Sequence, residues 1–281
     1  MALETKIYQK ENNKSIFKLL GESLKDTYQS LFLARQLAVR DIKAQYRQSY
    51  LGILWAFITP LTTALVWIFL NSSGTIKLTD TGISYAFYAF SGALIWSILT
   101  EALKSPITST VAAKSIMSKI NFPKEALIVS GIFKMLFNTA IKVIILVVFL
   151  FVFKIELSWS LAFFPLVILG LAIFATTIGL FITPLGLLYK DVSKAIPIIL
   201  QLLMYMTPVV YAIPKTGIMK TIMEANPLTP LVLNARNVFV GLELQFVEYS
   251  LWVIGISVPL FFISLVFYRV SIPIIVERMS A

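Results

Sequence analysis

Residues 28–70, YQSLFLARQLAVRDIKAQYRQSYLGILWAFITPLTTALVWIFL, carry the decision about the fold. A basic, partly amphipathic run (residues 28–50) turns without a linker into an apolar segment (residues 51–70) long enough to cross a bilayer. On a helix, Tyr28, Leu31, Phe32, Val39, Ile42 and Tyr46 fall on one narrow stripe, flanked by Arg40, Lys43 and Arg47. That is the pattern of a helix lying in a membrane surface. Arg35 interrupts the stripe and Leu33 and Leu37 point away from it, which leaves room for a protein partner on the other side. A soluble amphipathic helix is the alternative, and the apolar span that follows at once favours the membrane.

Working outward, the 281 residues are 58% hydrophobic, with a mean hydropathy of +0.85. A water-soluble domain of this size does not carry that balance, so the fold class is all-α integral membrane. The formal charge of +10 comes from 24 Lys+Arg against 14 Asp+Glu, spread along the chain rather than gathered on a soluble face, so no nucleic acid is expected. Cysteine and histidine are both absent, which removes disulfides, thiolate nucleophiles and the commonest metal ligands and general base. No metal site is expected. The first 30 residues hold Glu4, Glu11, Glu22 and Asp26 and no apolar core of a signal peptide, so the N-terminus is expected to stay in the cytoplasm.

Apolar runs at 51–70, 83–103, 126–153, 161–188, 195–213 and 251–268 read as six membrane helices. With the N-terminus inside, seventeen Lys and Arg fall on the cytoplasmic side and five outside, as the positive-inside rule asks. Both termini are then cytoplasmic. The expected organisation is an N-terminal tail (1–27), an interface helix (28–50), a six-span domain (51–270) and a C-terminal tail (271–281).

The spans differ in chemistry. The second carries Tyr85, Tyr88, Gly92 and Trp96 on one face, either a pathway lining or an aromatic belt at the lipid interface, with Glu101 on a different face. Phe87 and Phe90 face elsewhere. The third holds Lys134 and Lys142, eight residues apart and so roughly on one side. A charge at mid-membrane costs on the order of 2.5–3.5 kcal/mol on insertion scales. Lys134 can snorkel, whereas Lys142 calls for a buried partner or an anionic substrate group, and Glu101 is the only acid within an expected span.

Between the second and third spans, VAAKSIMSKINFPKEA places Ile116, Met117 and Ile120 on one side of a short basic helix, which Phe122-Pro123 ends. It is either a docking knob for a soluble partner or a plain solvated loop. The fifth span holds Pro197 and Pro208, and two amphipathic pieces follow, around 217–225 and 229–240, separated by Asn226-Pro227. They read as a re-entrant or interface-lying hairpin on the outer side, which membrane physics allows only where its backbone is buried in protein or lines a cavity. No P-loop occurs, so any ATP is used by a partner.

The order of these features resembles the membrane subunit of ABC-2 type exporters, in the branch that moves lipid-linked polysaccharides such as O-antigen and teichoic acid. The carrying motifs are RDIKAQYRQSYLGILWAFITPL (40–61), INFPKEALIVS (120–130), LLYKDVSKAIPIILQLLMYMTPVVY (187–211) and NPLTPLVLNARNVFVG (226–241). The resemblance implies a homodimer in the bacterial inner membrane, bound to two cytoplasmic ABC ATPases that hold ATP and Mg, with no cofactor in this chain. It implies that the 28–46 helix docks along the ATPase and that Lys114, Ile116, Met117, Lys119, Ile120 and Phe122, within 114–122, form the coupling helix. Arg40, Lys43 and Arg47 would meet the head of an undecaprenyl-diphosphate-linked glycan, since Arg is shaped for phosphate. Trp67, Tyr85, Tyr88, Trp96, Tyr205 and Tyr211, with Lys142, would line the pathway. The 216–240 hairpin, with Asn226, Pro227, Pro230 and Arg236, would be the external gate.

Three readings compete: export of a lipid-linked polysaccharide (O-antigen, teichoic acid or capsule), export of small hydrophobic compounds, and a membrane glycosyltransferase or polymerase. The chain is not expected to be an enzyme on its own, because apart from Asp41, Glu101 and Asp191 it offers few acids near a membrane face.

Overall fold

The computed structural model describes residues 15–47, 49–74 and 82–280. Among these residues the secondary structure is helical, with no strand. Two helices precede the first membrane segment: α1 (Ile16–Gln29) and α2 (Leu31–Arg47). They join at Ser30, whose hydroxyl donates to Thr27 O at 3.1 Å. Thus α1 occupies sequence that the residue pattern alone gives to a tail, and residues 1–14 of that expected tail lie outside the described residues.

The membrane-spanning helices follow as α3 (Trp55–Ser72), α4 (Tyr85–Ala112), α6 (Glu125–Val152), α7 (Phe164–Leu188) and α11 (Val247–Ser280). Each belongs to one of the five segments long and apolar enough to cross a bilayer. A single helical turn, α5 (Lys114–Met117), stands between α4 and α6. Between α7 and α11 lie α8 (Lys190–Tyr205), α9 (Ile218–Ala225) and α10 (Leu228–Val240).

Helix α4 is the axis of the bundle: 78% of its membrane window is buried, against 12% for α3. It packs on α6 and α7 through small residues that let backbones approach. A Cβ at Gly131 would sit 2.6 Å from the hydroxyls of Ser105 and Ser109, and one at Gly179 would collide with the Leu103 carbonyl. Pro106 lies inside α4 and has no N–H for the carbonyl one turn back. That carbonyl, Ala102 O, accepts instead from Thr176 Oγ1 of α7 at 3.4 Å. A neighbouring helix thus satisfies what proline leaves open, as a low-dielectric surrounding requires.

The expected fifth span, 195–213, begins earlier and ends sooner as α8, a helix of 16 residues. Tyr189 adopts an extended backbone that breaks the chain from α7, and Ser193 Oγ ties the first turn of α8 back to Gly186 O at 3.1 Å. At the other end Pro208 cannot continue the helix. A helix of this length rises about 24 Å, short of the roughly 30 Å hydrocarbon core. The sixth helix is longer than its apolar run, and α11 extends through Ser280, over residues the sequence reading gives to a tail.

Candidate functional site

The element that organises the end of the bundle where α4 begins is not a helix but the turn at 206–211. Thr207, Pro208, Val209 and Val210 are buried, yet their backbone is irregular: Thr207 O accepts from Val209 N at 2.7 Å, and the other carbonyls need donors from elsewhere. Side chains from two elements supply them. From α4, Tyr85 OH donates to Val210 O at 2.8 Å, and Tyr88 OH lies 3.4 Å from Pro208 O and 3.3 Å from Tyr211 O. From the α9–α10 hairpin, Asn226 Nδ2 donates to Met206 O and to Thr207 Oγ1, both at 2.9 Å, while its Oδ1 accepts from Leu228 N at 2.9 Å and so opens α10.

Arg236 completes the set. It is fully buried, its guanidinium stacks 3.6 Å above the Tyr88 ring, and it donates to Pro208 O at 3.2 Å and to Val209 O. Every residue of α10 from Leu228 to Val240 is buried. Among its polar side chains, Asn234 bonds Ser250 Oγ at 2.7 Å and Asn237 bonds Glu243 O at 2.6 Å, whereas Thr229 Oγ1 has no hydrogen-bond partner among the described residues. Gly241, at φ 76°, closes the helix with Leu242 N on Asn237 O at 2.9 Å. Of the expected gate residues, Asn226 and Arg236 both grip the turn, Pro230 is buried within α10, and Pro227 is exposed at the corner.

The expected pathway aromatics divide into three groups. Tyr85 and Tyr88 hold the turn. Trp67 of α3 approaches Tyr211 and Tyr205, with centroids 5.5 Å and 6.4 Å apart, and Tyr205 is exposed. Trp96 is 6% exposed and belongs to the central hydrophobic core.

Lys142 has a protein partner. Its Nζ lies 2.5 Å from Glu101 Oε2 and 3.3 Å from Ser97 O, with the lysine side chain 5% exposed. The other oxygen of Glu101 accepts from Asn138 Nδ2, and Asn138 Oδ1 accepts from Tyr46 OH of α2 at 3.0 Å. The donors all run toward one carboxylate, which ends a chain joining α2, α6 and α4. One turn toward the N-terminus of α6, Lys134 Nζ bonds Asp41 Oδ2 of α2 at 2.9 Å. Burial pushes the Asp41 carboxyl up, but the hydrogen bonds and charges of Lys134 and Arg40 outweigh it, so the group sits below its ordinary range.

At this end α2 buries Ala34 and Ala38, with Leu33 and Leu37 packed beside them, while Tyr28, Leu31, Phe32 and Val39 of the predicted stripe face outward. Its close seat is made by these alanines, and of the larger apolar stripe Tyr46 reaches α6, through Asn138 and Phe137. Arg40, Lys43 and Arg47 are exposed, and Arg40 bonds its neighbour Asp41 at 2.7 Å. In the expected coupling segment, Lys114, Lys119 and Ile120 are exposed, and Ile116 is half-buried. Met117 is buried among Tyr268, Ile272 and Ile275, and Phe122 is half-buried beneath Lys124 Nζ at 4.3 Å from its ring centre.

Sequence reasoning missed one cluster altogether. Arg269 of α11 bonds Asp26 of α1 at 2.9 Å and Glu125 at the start of α6, and lies 3.7 Å from Glu22. Ser23 Oγ adds a bond to Glu125 at 3.2 Å. Nothing in the local pattern pairs groups 144 and 243 residues apart; the signal was the presence of acids in a helix assigned to a tail.

These features describe a multi-pass helical membrane protein with a basic helix packed on its bundle and an irregular, side-chain-clasped turn at the other end. Residues 33–240 match the family described as ABC-2 type transporter, and the chain belongs to that family as a transmembrane permease. Among curated proteins it is similar to two O-antigen export system permease proteins RfbA from Klebsiella pneumoniae. One is 26% identical over 252 residues, covering 84% of this chain and 95% of the relative; the other is 27% identical over 235 residues, covering 81% and 88%. A third, from Myxococcus xanthus with the same name, is 23% identical over 240 residues, covering 84% and 91%.

Proposed function

We propose that this chain is the membrane permease of an ATP-driven exporter that moves a lipid-linked polysaccharide of the O-antigen kind from the cytoplasmic face across the inner membrane. The observation that carries the reading is the similarity to three O-antigen export permeases along more than four-fifths of the chain. A separate ABC ATPase supplies ATP and Mg, and docks on α2 and on the exposed side of the 114–122 segment. Exposed Ile120, Lys114 and Lys119 suit a partner that offers an apolar socket with acidic edges.

Two copies of the chain surround the pathway. The low burial of α3 and the exposed apolar residues Ile198, Ile199 and Leu202 of α8 are surfaces that a second copy covers. In this reading α8 crosses the membrane together with the 206–211 turn, giving six crossings, and the α9–α10 hairpin re-enters from outside as a gate. Arg40, Lys43 and Arg47 receive the lipid diphosphate from the cytoplasmic leaflet, and the aromatics Trp67, Tyr205 and Tyr211 offer ring faces to sugar C–H groups.

Depleting the chain in its host and probing lipid-linked glycan with a membrane-impermeant glycosidase on spheroplasts tests this. Glycan trapped on the cytoplasmic face is the expected result. Loss of the glycan with none trapped would move the chain from export to synthesis, and undisturbed glycan on the outer face would point to a small hydrophobic substrate.

A further inference from the structure

The Arg236 guanidinium is a full charge with no solvent exposure, and among the described residues no carboxylate lies within ion-pair distance of it. Its acceptors are two backbone carbonyls of the 206–211 turn and the face of Tyr88, and its Nε has no hydrogen-bond partner among the described residues. A cation buried this way is ordinarily paired. Here the turn itself stands in for the counter-charge, by aiming peptide dipoles at the guanidinium.

The opposite wall is equally specific. A Cβ on Gly92 of α4 would overlap both Val209 O and the Arg236 guanidinium. That position therefore keeps an open notch through which the arginine of α10 and the turn meet against α4. The adjacent donors Tyr88 and Tyr85 come from the same helix face, one and two turns from Gly92 toward the N-terminal end of α4.

We propose that Arg236 is the latch that holds the 206–211 turn closed, set into the Gly92 notch and released when the turn withdraws from it. The inference deepens the gate reading of the α9–α10 hairpin and rests on it for the place of the latch in transport. The device has two self-consistent states. Closed, the carbonyls of Pro208 and Val209 satisfy the guanidinium and the region is dry. Open, those carbonyls and the guanidinium separate together, and both require water or the hydroxyl and anionic groups of a passing substrate. A partly moved turn leaves a buried charge and two buried carbonyls unpaired at once, so intermediate positions are disfavoured and the switch is two-state.

The chain has no cysteine, so a single Val210→Cys in the turn reports its exposure, and a second chain with Ala175→Cys, deep in the α7 core, reports general loosening. Each is labelled with a maleimide in detergent solution, without ATP, partner or glycan, in the parent and with Arg236→Met or Gly92→Ala added. Both additions are expected to speed labelling at position 210 by at least about tenfold through local opening, and to leave position 175 unlabelled. Arg236→Lys, which keeps the charge but not the fork or the stacking, is expected to fall between parent and Arg236→Met.

Labelling at 210 within twofold of the parent in the folded Arg236→Met and Gly92→Ala chains would overturn the latch, because the turn would then be held by apolar packing alone. Equal acceleration at 175 would also overturn it, by assigning Arg236 to general stability. If Arg236→Met fails to fold, Gly92→Ala decides on the same readout. Since the labelling involves no transport, failure of the export reading is detected separately, by the glycan-sidedness experiment.

Discussion

Glu101 and Lys142 are the residues whose removal separates electrostatics from packing. Each is costly to bury alone, and each satisfies the other. Lys142→Met alone takes from Glu101 its ion-pair donor, and Glu101→Gln alone takes from Lys142 its carboxylate partner. Either is expected to cost about 3–5 kcal/mol, read as a lowered temperature of half-loss of the monodisperse protein, whereas the double variant recovers most of that loss. Asp41 gives a pH-dependent counterpart outside the spans. Its folded carboxyl is held down by Lys134 and Arg40, so its contribution is fully present above the ordinary value of 3.8 and is lost as pH falls through the lower folded value. The distance between spin labels on α2 and α6 is therefore expected to stay constant from pH 7 to near 4 and lengthen below it. In Asp41→Asn that acid step disappears, and the longer distance is already present at pH 7. Sequence alone exposed Lys142 and the one acid within reach of it. Asn138 and Tyr46 connect that pair to α2; the amide looks ordinary on a helix surface until its neighbours are known, and the phenol reads in sequence only as one member of the apolar stripe.

At the scale of elements, the short segment after α4 shows how far periodicity reaches. Ile116, Met117 and Ile120 share a side on an ideal helix, but the α-helix persists for only four residues before Phe122-Pro123 forces an extended chain. The loss of helical phase sends Met117 into the bundle and leaves Ile120 outside. The two are expected to behave differently. Ile120→Asp keeps the protein folded and abolishes co-purification of the ATPase, while Met117→Asp buries a carboxylate against Tyr268 and Ile272 and lowers folded yield several-fold. Retained co-purification in Ile120→Asp would show that the partner does not use this exposed side. The same reasoning explains α2. Its large apolar stripe dominates the sequence pattern, yet the helix seats closely through Ala34 and Ala38, since small residues allow close approach and leave Leu31, Phe32 and Val39 free to face lipid or a partner. Hydrophobic pattern predicted that the element exists and is amphipathic; it could not say which of two apolar sides the protein would use.

For the whole molecule the open question is one of parity. Five helices satisfy the length and apolarity of a span, and an odd number of crossings would put the termini on opposite sides. The sequence supplied a sixth by counting the run 195–213 as continuous, and the structure divides that run into a 16-residue helix and a buried turn. The division is compatible with a crossing. A short helix plus an irregular segment can traverse the hydrocarbon layer when protein satisfies the backbone of the irregular part, and the carbonyls of 206 and 208–211 are bonded by Asn226, Tyr85, Tyr88 and Arg236. Charge favours the same answer: Lys190 and Lys194 begin α8, and Arg269 and Arg278 end α11, so six crossings place all four on the basic, cytoplasmic side. A reporter that matures only in the cytoplasm, fused after residue 281, is therefore expected to be active, and one fused in the 242–246 loop to be silent. A silent C-terminal fusion in a stable chain would overturn the six-crossing reading, in which α8 starts beside the C-terminal end of α7 and the turn after it ends on Tyr85, the first residue of α4.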